Sequence, residues 1–383
     1  MSAGDTVMVL PGTYVGFDLR SSGTAALPIT FSAQAGVLID QDNAVTPDGI
    51  NLEGLSYAVV EGFEVMGVTR AGIRAAVCDH VTIRGNRTDQ NGRWGIFTGF
   101  CDDLVIEDNE CSRSVAEHGI YVSNSGDRPI IRGNLVWSNH ANGIHMNGDV
   151  SQGGDGIISD ALVEDNMIFD NGSGGGSGIN ADGVQSSVFR NNLLFENHAS
   201  GISLYRIDGG GPSSGNLVIN NTVVQASNGR WCLNIRDGST ANTIYNNIFY
   251  NQHPFRGSIS LDAASLPNTV SDYNAVMDRF STDGGDTVIS LAAWRAATGQ
   301  DSHSLLATPD QLFVDWTNDD YHLSASSPAI DSGTSTSAPP RDLEGNARPV
   351  GGGFDAGAYE YSKMLVTGAA SGGSSKVRRL HSM

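Results

Sequence analysis

Apolar and polar residues alternate in short runs along most of the chain, as in Val81-Thr82-Ile83-Arg84. A period of two over so few residues predicts strands, not helices. Many runs close on a pair ending in asparagine: Gly85-Asn86, Asp108-Asn109, Gly133-Asn134, Asp165-Asn166, Asn191-Asn192, Asn220-Asn221 and Asn246-Asn247. The second residues of these pairs are spaced 23, 25, 32, 26, 29 and 26. A second short apolar run follows each pair (Leu135-Val136-Trp137 is one), then a polar turn. A Gly-Ile step then opens a third run, at Ile73, Ile96, Ile120, Ile144, Ile179 and Ile202.

Units this short leave no room for a crossover helix between parallel strands. The fixed leucine framework of a leucine-rich repeat is also missing. The pattern predicts an all-β fold, a right-handed parallel β-helix with three short strands per coil, coils stacking about 4.8 Å apart. Equivalent residues then form ladders. Asparagine suits a ladder at a tight corner, because it tolerates left-handed backbone angles and its amide can bond the asparagine above; these asparagines are read as structural. The glycine before each isoleucine is assigned to the turn. The coils are expected over 1–275. Residues 276–362, where the repeat is lost, form an irregular C-terminal cap with a helix between Thr287 and Thr298, and 363–383 a flexible basic tail. Met1-Ser2 runs directly into Gly4-Asp5-Thr6-Val7, which reads as domain interior, so a leader is expected upstream.

The formal net charge is −20, and lysine occurs only at Lys363 and Lys376. Such a balance opposes nucleic-acid binding, and no apolar run approaches the roughly 20 residues of a membrane span. Cys78, Cys101, Cys111 and Cys232 contain no C-x-x-C pair, which argues against a zinc knuckle. Cys78 and Cys101 each lie five residues after a Gly-Ile isoleucine and should stack as a disulfide or a cysteine ladder. Cys111 aligns with Val136 and Ile168 in the core.

The opening Gly4-Asp5-Thr6-Val7-Met8-Val9-Leu10-Pro11-Gly12-Thr13-Tyr14 resembles the first coil of secreted bacterial right-handed β-helix proteins, including polysaccharide lyases of the chondroitinase B and alginate lyase type. Leu27-Pro28-Ile29-Thr30-Phe31 and the C-terminal Ser326-Ser327-Pro328-Ala329-Ile330-Asp331, Asp342-Leu343-Glu344-Gly345-Asn346 and Asp355-Ala356-Gly357-Ala358-Tyr359-Glu360 are similar to segments of such proteins. The resemblance implies a secreted or cell-surface protein with a polysaccharide as partner.

Alternation places side chains one and three residues after each Gly-Ile isoleucine on the outer face. With Leu233 aligned to the isoleucines, one ladder reads Arg74, Phe97, Tyr121, His145, Asn180, Ser203, Asn234. The other reads Ala76, Gly99, Ser123, Asn147, Asp182, Tyr205, Arg236. Rings, amides, a histidine and an arginine on one face suit a sugar chain. The candidate catalytic residues are His145 as an exposed base, Tyr205 as proton donor and Arg236 as the group neutralising a uronate. Tyr121, Asn147 and Asn180 are the candidate substrate-binding residues. Asp149, Asp182 and Asp208 are candidate Ca2+ ligands, as oxygen donors in neighbouring turns. His118 and His198 are read as structural.

Lyases resembling chondroitinase B use a lysine and an arginine with Ca2+, and no lysine precedes Lys363, so that version does not carry over. The polygalacturonase residue set and the Asp-Pro-His-Asp signature of alginate epimerases are absent as well. The reading is a lyase cleaving a uronic-acid-containing polysaccharide by β-elimination. The alternatives are a glycoside hydrolase on the same fold and a non-catalytic binding scaffold. The acidic body calls for Ca2+ or a local arginine patch if the polymer is itself acidic.

Overall fold

The repeat folds around one two-residue corner. In the computed structural model, which describes residues 1–362, each first-sheet strand from Asp79–Arg84 onward turns into its second-sheet strand through a single left-handed residue followed by an asparagine. The left-handed positions are Gly85, Asp108, Gly133, Asp165, Asn191, Asn220, Asn246 and Tyr273. The next residue, from Asn86 to Asn247, turns its amide inward and bonds the asparagine of the following coil, as in Asn109 Nδ2 to Asn134 Oδ1 at 3.1 Å and Asn192 Nδ2 to Asn221 Oδ1 at 2.9 Å; Asn274 ends the ladder on Asp301 at 3.1 Å. Each amide also donates to a carbonyl of the preceding coil, as Asn134 does to Ile106 at 2.9 Å. A shorter ladder, Asn139–Asn171–Asn197, marks the corner between the second and third sheets. The side-chain amides of these ladder asparagines therefore find partners along the axis.

Stacking yields a right-handed parallel β-helix of three sheets with 11, 12 and 11 strands. The isoleucines lie over one another without a slip: Ile73, Ile96, Ile120, Ile144, Ile179, Ile202, Leu233 and Ile259 are successive partners. With Val136, Ile168, Leu194 and the buried Cys111 they form the axial core. The glycine before each isoleucine has a different reason from the one expected. A Cβ on Gly119 would lie 2.4 Å from Val136 Cγ1, and one on Gly143 2.6 Å from Ile168 Cγ2, while neither has a positive φ. Glycine and isoleucine thus both face inward, and the alternation breaks at this step.

Cys78 and Cys101 do stack, since Ala76 pairs with Gly99 and Asp79 with Asp102. They are free thiols, each directed at a carbonyl two residues back (3.2 and 3.4 Å). In-register stacking points both Cβ atoms the same way rather than toward each other, so a ladder forms and not a bridge.

The segment expected as a cap has two parts. Third-sheet pairing continues to Phe280–Ser281 and second-sheet pairing to Leu305–Leu306. The helix Leu291–Thr298, started by Ser290 and stopped by Gly299, plugs the end of the core with Leu291 and the fully buried Trp294. Residues from Ala307 to Tyr359 then run back outside the second sheet, burying Leu312, Phe313, Tyr321 and Tyr359 against Leu193, Phe195, Val224 and Ile248. Asn191, Asn220 and Asn246 of the corner bond carbonyls of this clasp at Arg341, Asp355 and Thr334. The 363–383 tail lies outside the described residues.

His322 is a titrating element of the clasp. It sits between Glu344 and Asp320, at 3.4 and 2.6 Å, and the hydrogen bond to Glu344, then the one to Asp320, raises its pKa to about 9 against the desolvating effect of burial. A raised histidine pKa stabilises the folded state fully below its unfolded value near 6.5, and that contribution disappears as pH rises through about 9. Solvent screening of this half-exposed group reduces the contribution to about 1 kcal/mol. Thermal melts should therefore lose this much stability between neutral pH and the upper end of that window. His322→Gln should flatten the slope; an unchanged slope in the variant would refute the assignment.

Candidate functional site

Both outward ladders of the third sheet are in register as read from the sequence. Tyr121 pairs with His145, His145 with Asn180 and Asn180 with Ser203; Asn147 pairs with Asp182 and Asp182 with Tyr205. The stripe begins in aromatics. Trp94 packs on Phe97 (centroids 4.7 Å), Phe97 meets Tyr121 edge-on (5.5 Å), and Tyr121 stacks on His145 (4.8 Å, planes 9° apart). Arg93 lies over the Trp94 ring, whose Nε1 donates to Glu117 at 2.7 Å.

His145 differs from expectation in its charge. It is half-buried, and desolvation, then the neighbouring His118, hold its pKa well below the usual value. The hydrogen-bond network fixes both tautomers. Nδ1 of His118 accepts from the Asn142 backbone N–H at 3.2 Å, so its Nε2 carries the proton and faces His145 Nδ1 at 3.0 Å. His145 Nε2 is therefore an N–H donor, and this atom is buried without a partner. Burial also lowers His118 to about 3. The pair is a neutral relay ending in a donor, which corrects His145 as an exposed general base. His118 was missed as a site residue for a physical reason. Strict alternation puts it inside with Ile120, whereas the double inward step at Gly119-Ile120 turns it out.

Asn147 donates to the Tyr121 hydroxyl at 3.2 Å, while its Oδ1 is buried and unpartnered. An orphaned donor and an orphaned acceptor thus occur two residues apart on one strand. Asn180 is largely buried beside them. The Tyr205 hydroxyl is held protonated, first by burial and then by the negative charge of Asp182, with Asn180 as a hydrogen-bond partner. Tyr205 thus presents a neutral hydroxyl that resists losing its proton.

The remaining assignments change. Asp182 is 1% exposed, and its two oxygens accept the backbone N–H groups of Ile207, Asp208 and Gly209 at 2.8 to 3.1 Å. It pins the 206–209 loop, and with donors on both oxygens it does not fit a Ca2+ ion. Asp149 caps the turn Val150–Gln152 through Ser151. Asp208 contributes its backbone carbonyl to Val150 N–H at 3.0 Å. These three acids do not converge on a common point; among the described residues the triad with ligand atoms within 4.8 Å of one another is Asp79, His80 and Asp103, where Arg128 already holds both oxygens of Asp103. Arg236 bonds Asn234 Oδ1 at 3.1 Å and the Gly284 carbonyl. It lies three windings from His145, about 14 Å along the axis at the usual strand spacing, so the two cannot act on one sugar ring.

The site is a shallow stripe on a solenoid face, walled by loops of the two corners that flank the third sheet. The chain belongs to the right-handed β-helix family, which matches residues 20–152, 48–223 and 113–275 in overlapping segments. Its structure is similar to that of the pectate lyase Pel9A (18% identity, 94% of this chain and 89% of that one, TM-score 0.59). It is also similar to an alginate lyase from Paenibacillus sp. str. FPU-7 (20% identity, 68% and 91%, TM-score 0.54) and to a rhamnogalacturonan lyase (14%, 91% and 88%, TM-score 0.50). At these identities the likeness shows the fold. Among curated proteins none matches the sequence. No helix among the described residues is long and apolar enough to cross a membrane.

Proposed function

We propose that the protein is an extracellular, polysaccharide-active β-helix that holds a glycan along the outer face of its third sheet. The observation that carries this is the stripe itself: the adjoining rings of Phe97, Tyr121 and His145 run into the unpartnered His145 N–H and Asn147 carbonyl oxygen. Rings take the apolar face of a sugar, and a buried donor and acceptor left without partners are satisfied by its hydroxyls.

For the reaction, β-elimination of a uronate remains the first reading. The similar structures include pectate and alginate lyases by name, and in this reading the protonated Tyr205 hydroxyl gives its proton to the departing oxygen while the C5 proton passes to water. A second reading, binding without cleavage, is favoured by one observation: His145 is a fixed donor and Arg236 is engaged, so neither serves as the base.

Incubation with pectate, alginate and neutral glycans separates these readings. An ultraviolet-absorbing unsaturated product marks elimination, new reducing ends without it mark hydrolysis, and binding alone marks a scaffold. If elimination occurs, Tyr205→Phe should lower turnover about 10²-fold with affinity unchanged, while Tyr121→Ala and His145→Ala should weaken binding about tenfold. Wild-type affinity in both of the latter variants would remove the stripe as the binding face.

A further inference from the structure

Arginine is handled unevenly along the rod. On the first sheet and early coils it is neutralised across windings: Arg70 by Asp48, Arg84 by Glu61, Arg128 by Asp103, Arg132 by Glu107 and Arg190 by Glu164. The last coils do the opposite. At the corner leading from the second sheet to the third, Arg230, Arg256 and Arg279 make no ion pair within 4.0 Å among the described residues. Each of the latter two reaches back one winding to a carbonyl: Arg279 to His253 and Arg256, and Arg256 to Gly229. The three arginines thus occupy one corner in three successive windings, between the second- and third-sheet strands. Arg230 is exposed, and its guanidinium makes no hydrogen bond among the described residues.

His253 adds a fourth donor. Its Nδ1 accepts the backbone N–H groups of Phe255 and Arg256, each at 3.0 Å, so the proton sits on Nε2. Burial, then Arg256 and Arg279, keep this ring neutral, and burial followed by Arg230 lowers the Arg256 pKa. Phe255 stands 45% exposed beside them. The nearest acid in sequence, Asp278, is occupied with the Leu291 N–H at the start of the plugging helix, at 2.7 Å.

We propose that Arg230, Arg256 and Arg279 form a subsite for the carboxylates of an acidic polysaccharide, with Phe255 against a sugar ring. Like charges gathered at one corner are unfavourable without a counter-anion, and a chain of net charge −20 needs a local positive surface to hold a polyanion. Repeated carboxylates on a polymer match a ladder of cations better than one small anion does. The subsite lies three to five windings beyond His145, about 14–24 Å along the axis, and is separate from the stripe.

The test is calorimetric titration with an oligogalacturonide, an oligomannuronide, a neutral xylo-oligosaccharide and inorganic sulfate, at low and high salt. The expected result is salt-sensitive binding of the two acidic oligomers. It should weaken about tenfold in Arg256→Gln and in the exposed Arg230→Gln, which cannot disturb the core, and stay unchanged in Arg20→Gln at the far end. Tyr205→Phe should keep this binding, so failure of the stripe as a catalytic centre is read separately. Absence of acidic-oligomer binding, equal binding in the arginine variants, or sulfate binding as tightly as the oligomers would each overturn the proposal.

Discussion

Asn166→Ala should destabilise the protein by about 3–5 kcal/mol in urea unfolding. Asn166 is fully buried at the centre of the main ladder. Its Nδ2 donates to the Ile131 carbonyl and to Asn192 Oδ1, both at 2.9 Å, and its Oδ1 accepts the backbone and side-chain N–H groups of Asn134, both at 3.0 Å. Alanine leaves the Asn134 backbone N–H without a partner, and the Ile131 carbonyl without its side-chain donor, in a place water does not reach. Each such group costs about 1–3 kcal/mol, and the two half-satisfied amides add to that. Asn166→Asp sharpens the test. It keeps the acceptor toward Asn134 but sets a carboxylate against the Ile131 carbonyl and Asn192 Oδ1. It should be at least as damaging at neutral pH and partly recover in acid, where the protonated carboxyl can donate. A loss below about 1 kcal/mol for Asn166→Ala would mean the ladder is not a stabilising element.

The second large effect belongs to the clasp. Arg348 and Glu360 form an ion pair at 2.8 Å with both side chains fully buried. Arg348 also donates to the carbonyls of Asp355 and Gly357, and Glu360 accepts the Val350 N–H at 2.7 Å. Burial pushes the Glu360 carboxyl up and the Arg348 guanidinium down, which shows how strongly each relies on the other. Arg348→Met should therefore cost about 3–5 kcal/mol, because it strands a buried carboxylate, while Arg348→Met/Glu360→Gln should cost less than the single change. The comparison is a double-mutant cycle in urea, with proteolysis of the 305–361 segment reporting where the structure opens. A double variant as unstable as the sum of the singles would show that the two residues act independently.

The frame was legible because its signals are periodic. The isoleucines and corner asparagines recur once per winding, and a one-residue slip would turn every core side chain outward. What was hidden lies where periodicity fails. His118 could not be placed by alternation, since Gly119 and Ile120 both face the core. The clasp is visible in retrospect in Leu193-Leu194-Phe195, where consecutive apolar residues mark a strand covered on both faces. The fate of Asp182 and Arg236 depended on loops 206–209 and 281–287, whose course no strand pattern specifies. Arg230, Arg256 and Arg279 precede the Gly-Ile register and so fell outside the two ladders read from it.

The two-residue corner has a consequence for how such a rod can change. Its length is constant from Gly85-Asn86 to Tyr273-Asn274, while windings vary in size largely because additional residues emerge at the edge between the third sheet and the first, as in 148–161 and 206–216. Insertions accumulate beside the outer face of the third sheet and are barred from the opposite seam, so the borders of that face can be remodelled over generations while the scaffold beneath keeps its alignment.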